Sequence, residues 1–402
     1  MLPKLDNYRE IIGEEAYQRI RQTAEPLEGK LISLMNSTCF GGGVAEILHS
    51  LVVLMNELKI NTEWRLFKGN PDFFNVTKKF HNTLQGQEGS LPGSERKTYL
   101  DMVERNAVMN HYDHEDFVVI HDPQPLAIID HYKERKQPWV WRCHIDITTP
   151  NMEVWNFLFP FMRQYDGIIV SMDKYKKDGM GRPYHIINPS IDPLIPKNRD
   201  MSAQSAESLI ARAGLDVSKP IVTQISRFDI WKNPEGVIRM FSKVKEQVPD
   251  AQLAMIGEFA SDDPEGPGMY KKVTGAAEGV KDVHFITNAS NELVNAVQRK
   301  AAVVFQNSTR EGFALTVSEA LWKGTPVIAT NVGGIPLQVI DGQTGFLISN
   351  EEEGAKRCMQ LIQDSNLRER IGSQGREHVR KNFLITRHLQ DYINLANQHI
   401  KV

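Results

Sequence analysis

Two cations and two carboxylates stand where chemistry needs them. Arg227 and Lys232 lie in Ser226-Arg227-Phe228-Asp229-Ile230-Trp231-Lys232-Asn233-Pro234, after the β-rich run 221–225 and before a helix opened by Pro234. At a strand end, an arginine fork and a lysine point charge can grip a diphosphate. In isolation the same pair reads better as solvated surface charge. Glu311 and Glu319 flank Gly312-Phe313-Ala314-Leu315-Thr316-Val317-Ser318. A helix is predicted to begin near Ala314–Thr316 and to end at Gly324, with Pro326 behind it. Its first N–H groups suit phosphate oxygens. Glu311, ahead of the helix, can reach a sugar hydroxyl. A carboxylate accepting from vicinal hydroxyls is the usual grip on a ribose, and Glu319 is the candidate. Taken alone, Glu319 is also an ordinary exposed helix charge.

A second group of residues follows strands of the first half. Thr38-Cys39-Phe40-Gly41-Gly42-Gly43-Val44-Ala45-Glu46 is a glycine-rich turn entering a helix, which lets backbone N–H groups approach a phosphate. A tight β–α turn needing positive φ explains it as well. Read as G-x-G-x-x-G, its third glycine position holds Glu46, which argues against an NAD-dependent oxidoreductase. There is also no G-K-[ST] of a nucleotide P-loop. His121-Asp122-Pro123-Gln124 and Arg142-Cys143-His144-Ile145-Asp146 both sit at strand ends. Their polar side chains suit sugar hydroxyls or a developing charge. His111-Tyr112-Asp113-His114-Glu115-Asp116 looks like a metal cluster, but it runs directly into a strand, so its side chains should diverge. No metal site is predicted.

The elements that position these residues are read from short apolar runs alternating with helical stretches. Runs at 31–35, 64–67, 117–120, 139–143 and 167–170 form one series, with a helix from Val44 to about Leu58 after the first. Runs at 221–225, 252–256, 283–286, 303–305 and 327–329 form another. Continuous apolar strands separated by helices mean parallel sheets covered on both faces. The fold class is therefore α/β: two facing, doubly wound, Rossmann-like domains with an interdomain cleft beyond the strand ends. The break falls near Asn188-Pro189-Ser190-Ile191-Asp192-Pro193, with Pro196 soon after. This gives domains at 1–190 and 191–381. Tyr8, Ile11, Ile12, Ala16, Tyr17 and Ile20 recur at helical spacing and predict one amphipathic N-terminal helix. The segment 69–93, rich in Gly, Asn, Phe and Pro, reads as a long functional loop.

Composition excludes whole classes. Lys+Arg at 47 against Asp+Glu at 50 leaves no basic surplus for nucleic acid. Three scattered cysteines, without a C-x-x-C pair, argue against a disulfide framework or structural zinc and for a reducing compartment. No apolar run approaches a membrane span, and the charged start is no signal peptide, so a cytoplasmic protein without a membrane partner is expected.

Together these residues resemble the retaining glycosyltransferases of family 4, which have the GT-B architecture. Beyond the Arg227…Lys232 and Glu311…Glu319 pairs, the match continues through Gly324-Thr325-Pro326-Val327-Ile328-Ala329, Asn331-Val332-Gly333-Gly334-Ile335-Pro336 and Asp341-Gly342-Gln343-Thr344-Gly345. In the first half, Asn36-Ser37-Thr38 before the glycines is similar to the trehalose glycosyltransferring synthases. So are Phe73-Phe74-x-x-Thr77-Lys78-x-x-His81-Asn82-x-Leu84-Gln85-Gly86 and the two histidine motifs. That family joins glucose from an NDP-glucose, such as UDP- or ADP-glucose, to free glucose, giving α,α-trehalose and NDP.

The resemblance implies an acceptor-binding first domain, a donor-binding second domain and a C-terminal helix, about 382–402, that crosses back onto the first. It implies catalytic roles for Glu311, His144, Arg227 and Lys232. Gly42, Gly43, Gly312, Phe313, Ala314, Leu315, Thr316 and Glu319 would complete the donor site with the two cations. His121, Asp122, Gln124, Arg142 and Asp146 would bind the acceptor. The partners implied are NDP-glucose, glucose and trehalose, and a homodimer is admitted. No cofactor is required, and Mg2+ would have no protein-bound site. The related retaining trehalose phosphorylases share much of this pattern and stand as the alternative. A non-catalytic sugar-nucleotide-binding protein would be expected to lack Arg227 or Glu311, and both are present.

Overall fold

The computed structural model describes residues 3–40, 42–258 and 266–400. The chain divides into two compact units, Met1–Pro189 with Ile385–Val402, and Ser190–Leu384. In the first, the short helix α1 (Arg9–Ile12) and α2 (Glu14–Ala24) precede β1 (Leu31–Asn36), α3 (Gly43–Glu57), β2 (Asn61–Leu66), α4 (Pro71–Leu84), α5 (Gly93–Met109) and β3 (Phe117–His121). Then follow β4 (Trp139–Arg142), α6 (Met152–Met162), β5 (Gly167–Val170) and β6 (Tyr184–Ile186). The second unit contains α7 (Ala203–Arg212), β7 (Ile221–Ile225), α8 (Pro234–Gln247), β8 (Gln252–Gly257), α9 (Gly266–Ala276), β9 (Val283–Thr287), α10 (Asn291–Lys300) and β10 (Val303–Gln306). It continues with α11 (Leu315–Trp322), β11 (Val327–Thr330), the short α12 (Ile335–Gln338), β12 (Gly345–Ile348), α13 (Glu351–Gln363) and α14 (Ser365–Asn382). The last helix, α15 (Ile385–His399), returns to the first unit.

Each unit holds one six-stranded parallel sheet, ordered β2-β1-β3-β4-β5-β6 and β12-β11-β10-β7-β8-β9. Both orders reverse once: between β1 and β3 in the first sheet, and between β7 and β10 in the second. At such a reversal the loops leaving adjacent strands part, and a crevice opens beyond their carboxyl ends. The central strands are wholly buried because helices cover both faces; Phe117–His121 and Ile221–Ile225 show no outward-facing residue. The first core is aromatic, with Phe73, Phe80, Tyr99, Tyr165, Trp139 and Trp141 among its members. The second is mainly aliphatic, with Val222, Leu253, Val303 and Ile328 packed around phenylalanines such as Phe241. Among the described residues no helix is long and apolar enough to cross a membrane.

Several local expectations are corrected. The segment 69–93 is not a long loop, because α4 occupies Pro71–Leu84. Asn70 accepts from the Phe73 N–H as its N-cap, Pro71 starts the first turn, and Phe73, Val76, Phe80 and Leu84 are its buried face. The N-terminal helix is two, since Gly13 at φ +82° breaks it between α1 and α2. The second strand lies at Asn61–Leu66 rather than 64–67, and β6 and β12 extend the sheets by one strand each.

Candidate active site

In the second unit the crevice residues come from β7 and β10, the two strands that flank the reversal. After β7 the chain makes a tight turn. Asp229 accepts from the Trp231 N–H at 2.9 Å, and Asn233, left-handed at φ 44°, accepts from the Gly236 N–H as the N-cap of α8. The Gln224 amide reaches back from β7 to the Lys232 carbonyl at 3.0 Å. Lys232 is thereby fixed and extends its Nζ to Glu311 Oε2, 2.5 Å away. The same carboxylate oxygen accepts from Gln306 at 3.2 Å and Ser308 at 3.1 Å. Glu311 is buried in the loop that follows β10, while Arg227 sits half-buried on the β7 turn.

Ala314, left-handed at φ 70°, starts α11, and no side chain caps that helix. Thr316 and Leu315 occupy its first turn, half-buried, and the Thr316 hydroxyl donates to the Ile225 carbonyl at 3.2 Å. The helix start is thus tied to β7 while its leading N–H end stays uncapped. Gly312 and Phe313 are covered by the loop before α12: a Cβ on Gly334 would lie 2.7 Å from the Gly312 carbonyl oxygen. Gln338 donates to the Phe313 carbonyl from below. Glu319 is buried in α11 and not an exposed helix charge. Its Oε1 pairs with Lys197 at 3.3 Å, and its Oε2 accepts from Gln298 at 3.4 Å. Gln298 in turn accepts from Lys323, which also donates to Asn198.

In the first unit the glycine turn follows β1. Asn36 accepts from Trp64 Nε1 at 2.7 Å and donates to the Thr38 carbonyl. Gly41 lies outside the described residues. Gly42, at φ +118°, precedes α3, and a Cβ there would meet nothing within 4 Å, so its glycine identity serves backbone conformation and not crowding. Gly43 opens α3.

The histidine motifs meet beyond β3 and β4. His121 Nδ1 stands 3.0 Å from His144 Nε2, with the rings stacked at 5.3 Å. Asp122, left-handed at φ 66°, accepts the His144 backbone N–H at 2.9 Å, and its own carbonyl accepts from Trp141 Nε1. Burial pushes the Asp122 carboxyl up to about 7, against the pull of that N–H and of the Arg142 charge. Burial, aided by Arg142, lowers His121 to about 3 and holds His144 well below the usual histidine range. Both rings are therefore neutral. Arg142 is fully buried; its Nη2 reaches Ser171 Oγ at 3.3 Å, while Nε and Nη1 take no hydrogen bond. Gln124 Oε1 is likewise buried without a partner, and Asp146 is engaged by the Thr148 N–H at 2.9 Å.

Some neighbours were invisible in the sequence. Lys197 comes from the segment before α7, and Gln306 and Ser308 line the loop of Glu311. On α15, His388 Nδ1–H donates to the Asn188 carbonyl at 3.0 Å, and its ring stacks on Tyr392 at 4.9 Å. In the His111–Asp116 run, Glu115 pairs with Arg65 and Tyr112 packs on Trp139. Among the described residues no group could hold a metal ion.

Comparison with known proteins places this geometry. Residues 34–177 match the family model of the trehalose synthase N-terminal domain, and residues 205–378 match glycosyl transferases group 1. The trehalose synthase of Thermococcus litoralis is 43% identical over 98% of this chain and 97% of its own. The chain belongs to the trehalose synthase family of glycosyltransferases. Within the family's first-domain match lie Gly42, Gly43, His121, Asp122, Arg142, His144 and Asp146; within the second lie Arg227, Lys232, Glu311 and Glu319. The α15 residues fall outside both. The trehalose phosphorylase of Pleurotus pulmonarius is 26% identical over 94% of this chain but 59% of its own. Among solved structures, the sucrose-phosphate synthase of Thermosynechococcus elongatus superposes with a TM-score of 0.72 at 18% identity, covering 92% of this chain and 98% of its own. The fold is the GT-B fold.

Proposed function

We propose that this glycosyltransferase moves the glucosyl unit of an NDP-glucose onto free glucose with retention, giving α,α-trehalose and NDP. The observation that carries the reading is the Lys232–Glu311 pair at the carboxyl ends of β7 and β10, beside Arg227 and the uncapped start of α11. It puts cations for a diphosphate next to a carboxylate for a sugar hydroxyl. On this reading the second unit takes the donor and the first the acceptor.

The bond from the anomeric carbon to the β-phosphate oxygen breaks, and the bond to the acceptor oxygen forms on the same face. The acceptor's proton passes to the departing phosphate oxygen. Arg227 and Lys232 neutralise the charge that grows on that phosphate, helped by N–H groups after Gly312. Glu311 accepts from a hydroxyl of the transferred glucose, which holds the anomeric carbon over the leaving group. Glu319 grips the ribose, with its Lys197 partner balancing its charge. His144 meets the sugar, and Asp122, Gln124, Arg142 and Asp146 shape the acceptor side. No metal or organic cofactor takes part. We place the reaction in the cytoplasm, in keeping with three unpaired cysteines.

The test is to supply UDP-, ADP-, GDP- and TDP-glucose with glucose, in EDTA, and to identify the product by NMR. An α,α-linked disaccharide is expected, and trehalose with the same NDP should run backward. Glucose 1-phosphate formed from trehalose and phosphate, with no NDP-dependent turnover, would replace this reading by a phosphorylase.

A further inference from the structure

The two histidines beyond β3 and β4 are joined in a way that fixes more than their positions. His121 is sealed, and its Nε2 is buried with no hydrogen-bond partner. Among the described residues its one hydrogen-bond contact runs from Nδ1 to His144 Nε2 at 3.0 Å. With both rings neutral, one nitrogen of this contact carries the proton and the other a lone pair. If His144 donated, His121 would have to carry its proton on Nε2, leaving an orphaned N–H in the interior. Orphaned buried N–H groups are rare, and the nearby Arg142 charge further disfavours one on this ring. The proton therefore sits on His121 Nδ1.

Donation from His121 leaves His144 Nε2 as an acceptor and forces the His144 proton onto Nδ1. His144 is half-buried, and its Nδ1 is not among the sealed, unpartnered atoms. Its backbone is pinned by the Asp122 carboxylate at 2.9 Å. Backbone and ring are thus both held from the β3 end. We infer that His121 is a positioning residue that locks His144 in its Nδ1–H form, so that His144 presents a hydrogen-bond donor to an oxygen of the sugar substrate. This rests on the sugar contact proposed for His144, and it moves His121 from acceptor binding to the support of a neighbour.

The experiment labels the protein with [15N]histidine and reads ring tautomers by long-range 1H–15N NMR, assigning His144 by its loss in His144→Gln. The expected pattern is pyrrole-type Nδ1 and pyridine-type Nε2 in the unsubstituted protein. His121→Leu removes the donor and should shift His144 toward Nε2–H. His121→Asn places an amide N–H where Nδ1–H stood and should keep the Nδ1–H form. Turnover should follow the tautomer, falling about tenfold or more in His121→Leu and recovering in His121→Asn relative to it. A His144 proton on Nε2 in the unsubstituted protein, or an unchanged tautomer in His121→Leu, overturns the lock. If the tautomers behave as stated but His144→Gln turns over normally, the sugar contact fails while the lock stands.

Discussion

Lys232 and Glu311 satisfy each other in a partly enclosed place, so a change at either alters the other. Removing the ammonium takes a cation away from a buried carboxylate that also accepts from Gln306 and Ser308; removing the carboxylate leaves the ammonium less firmly aimed. Lys232→Ala, Glu311→Ala and Arg227→Ala should each lower turnover by about 10²-fold, the scale of losing one contact made in the transition state. The Lys232→Ala/Glu311→Ala double variant should lose less than the product of the two, because contacting residues do not act additively. Steady-state rates of NDP release check both statements. Near-normal rates in all three single variants would remove the donor assignment.

At the scale of elements, α11 and α14 meet backbone to backbone. A Cβ on Gly372 of α14 would lie 1.9 Å from the carbonyl oxygen of Gly324, the left-handed residue that follows α11. Gly372→Ala must therefore push α14 away from α11, costing about 1–3 kcal/mol. Gly275→Ala in α9, where nothing lies within 4 Å, should instead gain up to about 1 kcal/mol from helix propensity. Chemical denaturation of the two variants separates crowding from propensity. The elements were unequally legible in the sequence. The inner strands announced themselves because burial on both faces leaves continuous apolar runs, as in Ile221–Ile225 and Phe117–His121. β6 carries Tyr184, His185 and Ile186 at a half-exposed sheet edge, and such a short, mixed run has no period to read. α4 was concealed by composition: Asn70 and Pro71 look like loop residues and are in fact its cap and first turn. The motif residues were visible as types in order. Their partners were not, since Lys197 stands more than a hundred residues from Glu319 and only the fold joins them.

Over the whole molecule, buried titratable groups set how acid acts on stability. His121 is lowered to about 3, and His144 and His388 lie well below the usual 6.5, all chiefly through burial. Below pH 6.5 the unfolded chain binds protons at these sites that the folded chain refuses, so stability is lost as pH falls. Asp122, raised to about 7, acts oppositely: the folded chain binds its proton first, and its contribution declines as pH rises from about 4 to 7. His185 and His399, also lowered by burial, add to the three, and together they outweigh the one raised carboxyl and leave a net loss on acidification. The melting temperature should fall from pH 6.5 to pH 5, and Asp122→Asn, by removing the opposing group, should steepen the fall. Thermal melts across that range decide it; a shallower fall in Asp122→Asn would contradict the raised carboxyl. The return of α15 has a separate effect, on the order of events at the ribosome. This helix buries Leu389, Tyr392, Ile393 and Ala396, and its Asn397 ties to the Thr23 carbonyl at 2.8 Å. The first unit thus waits for α15 to be translated, while the second is complete once Leu384 has emerged. At about 5–20 residues per second, the wait across the intervening segment is roughly 10–40 s. Of the two units, the one begun earlier is finished later, and until then the surface that α15 will cover stays open to chaperones and proteases.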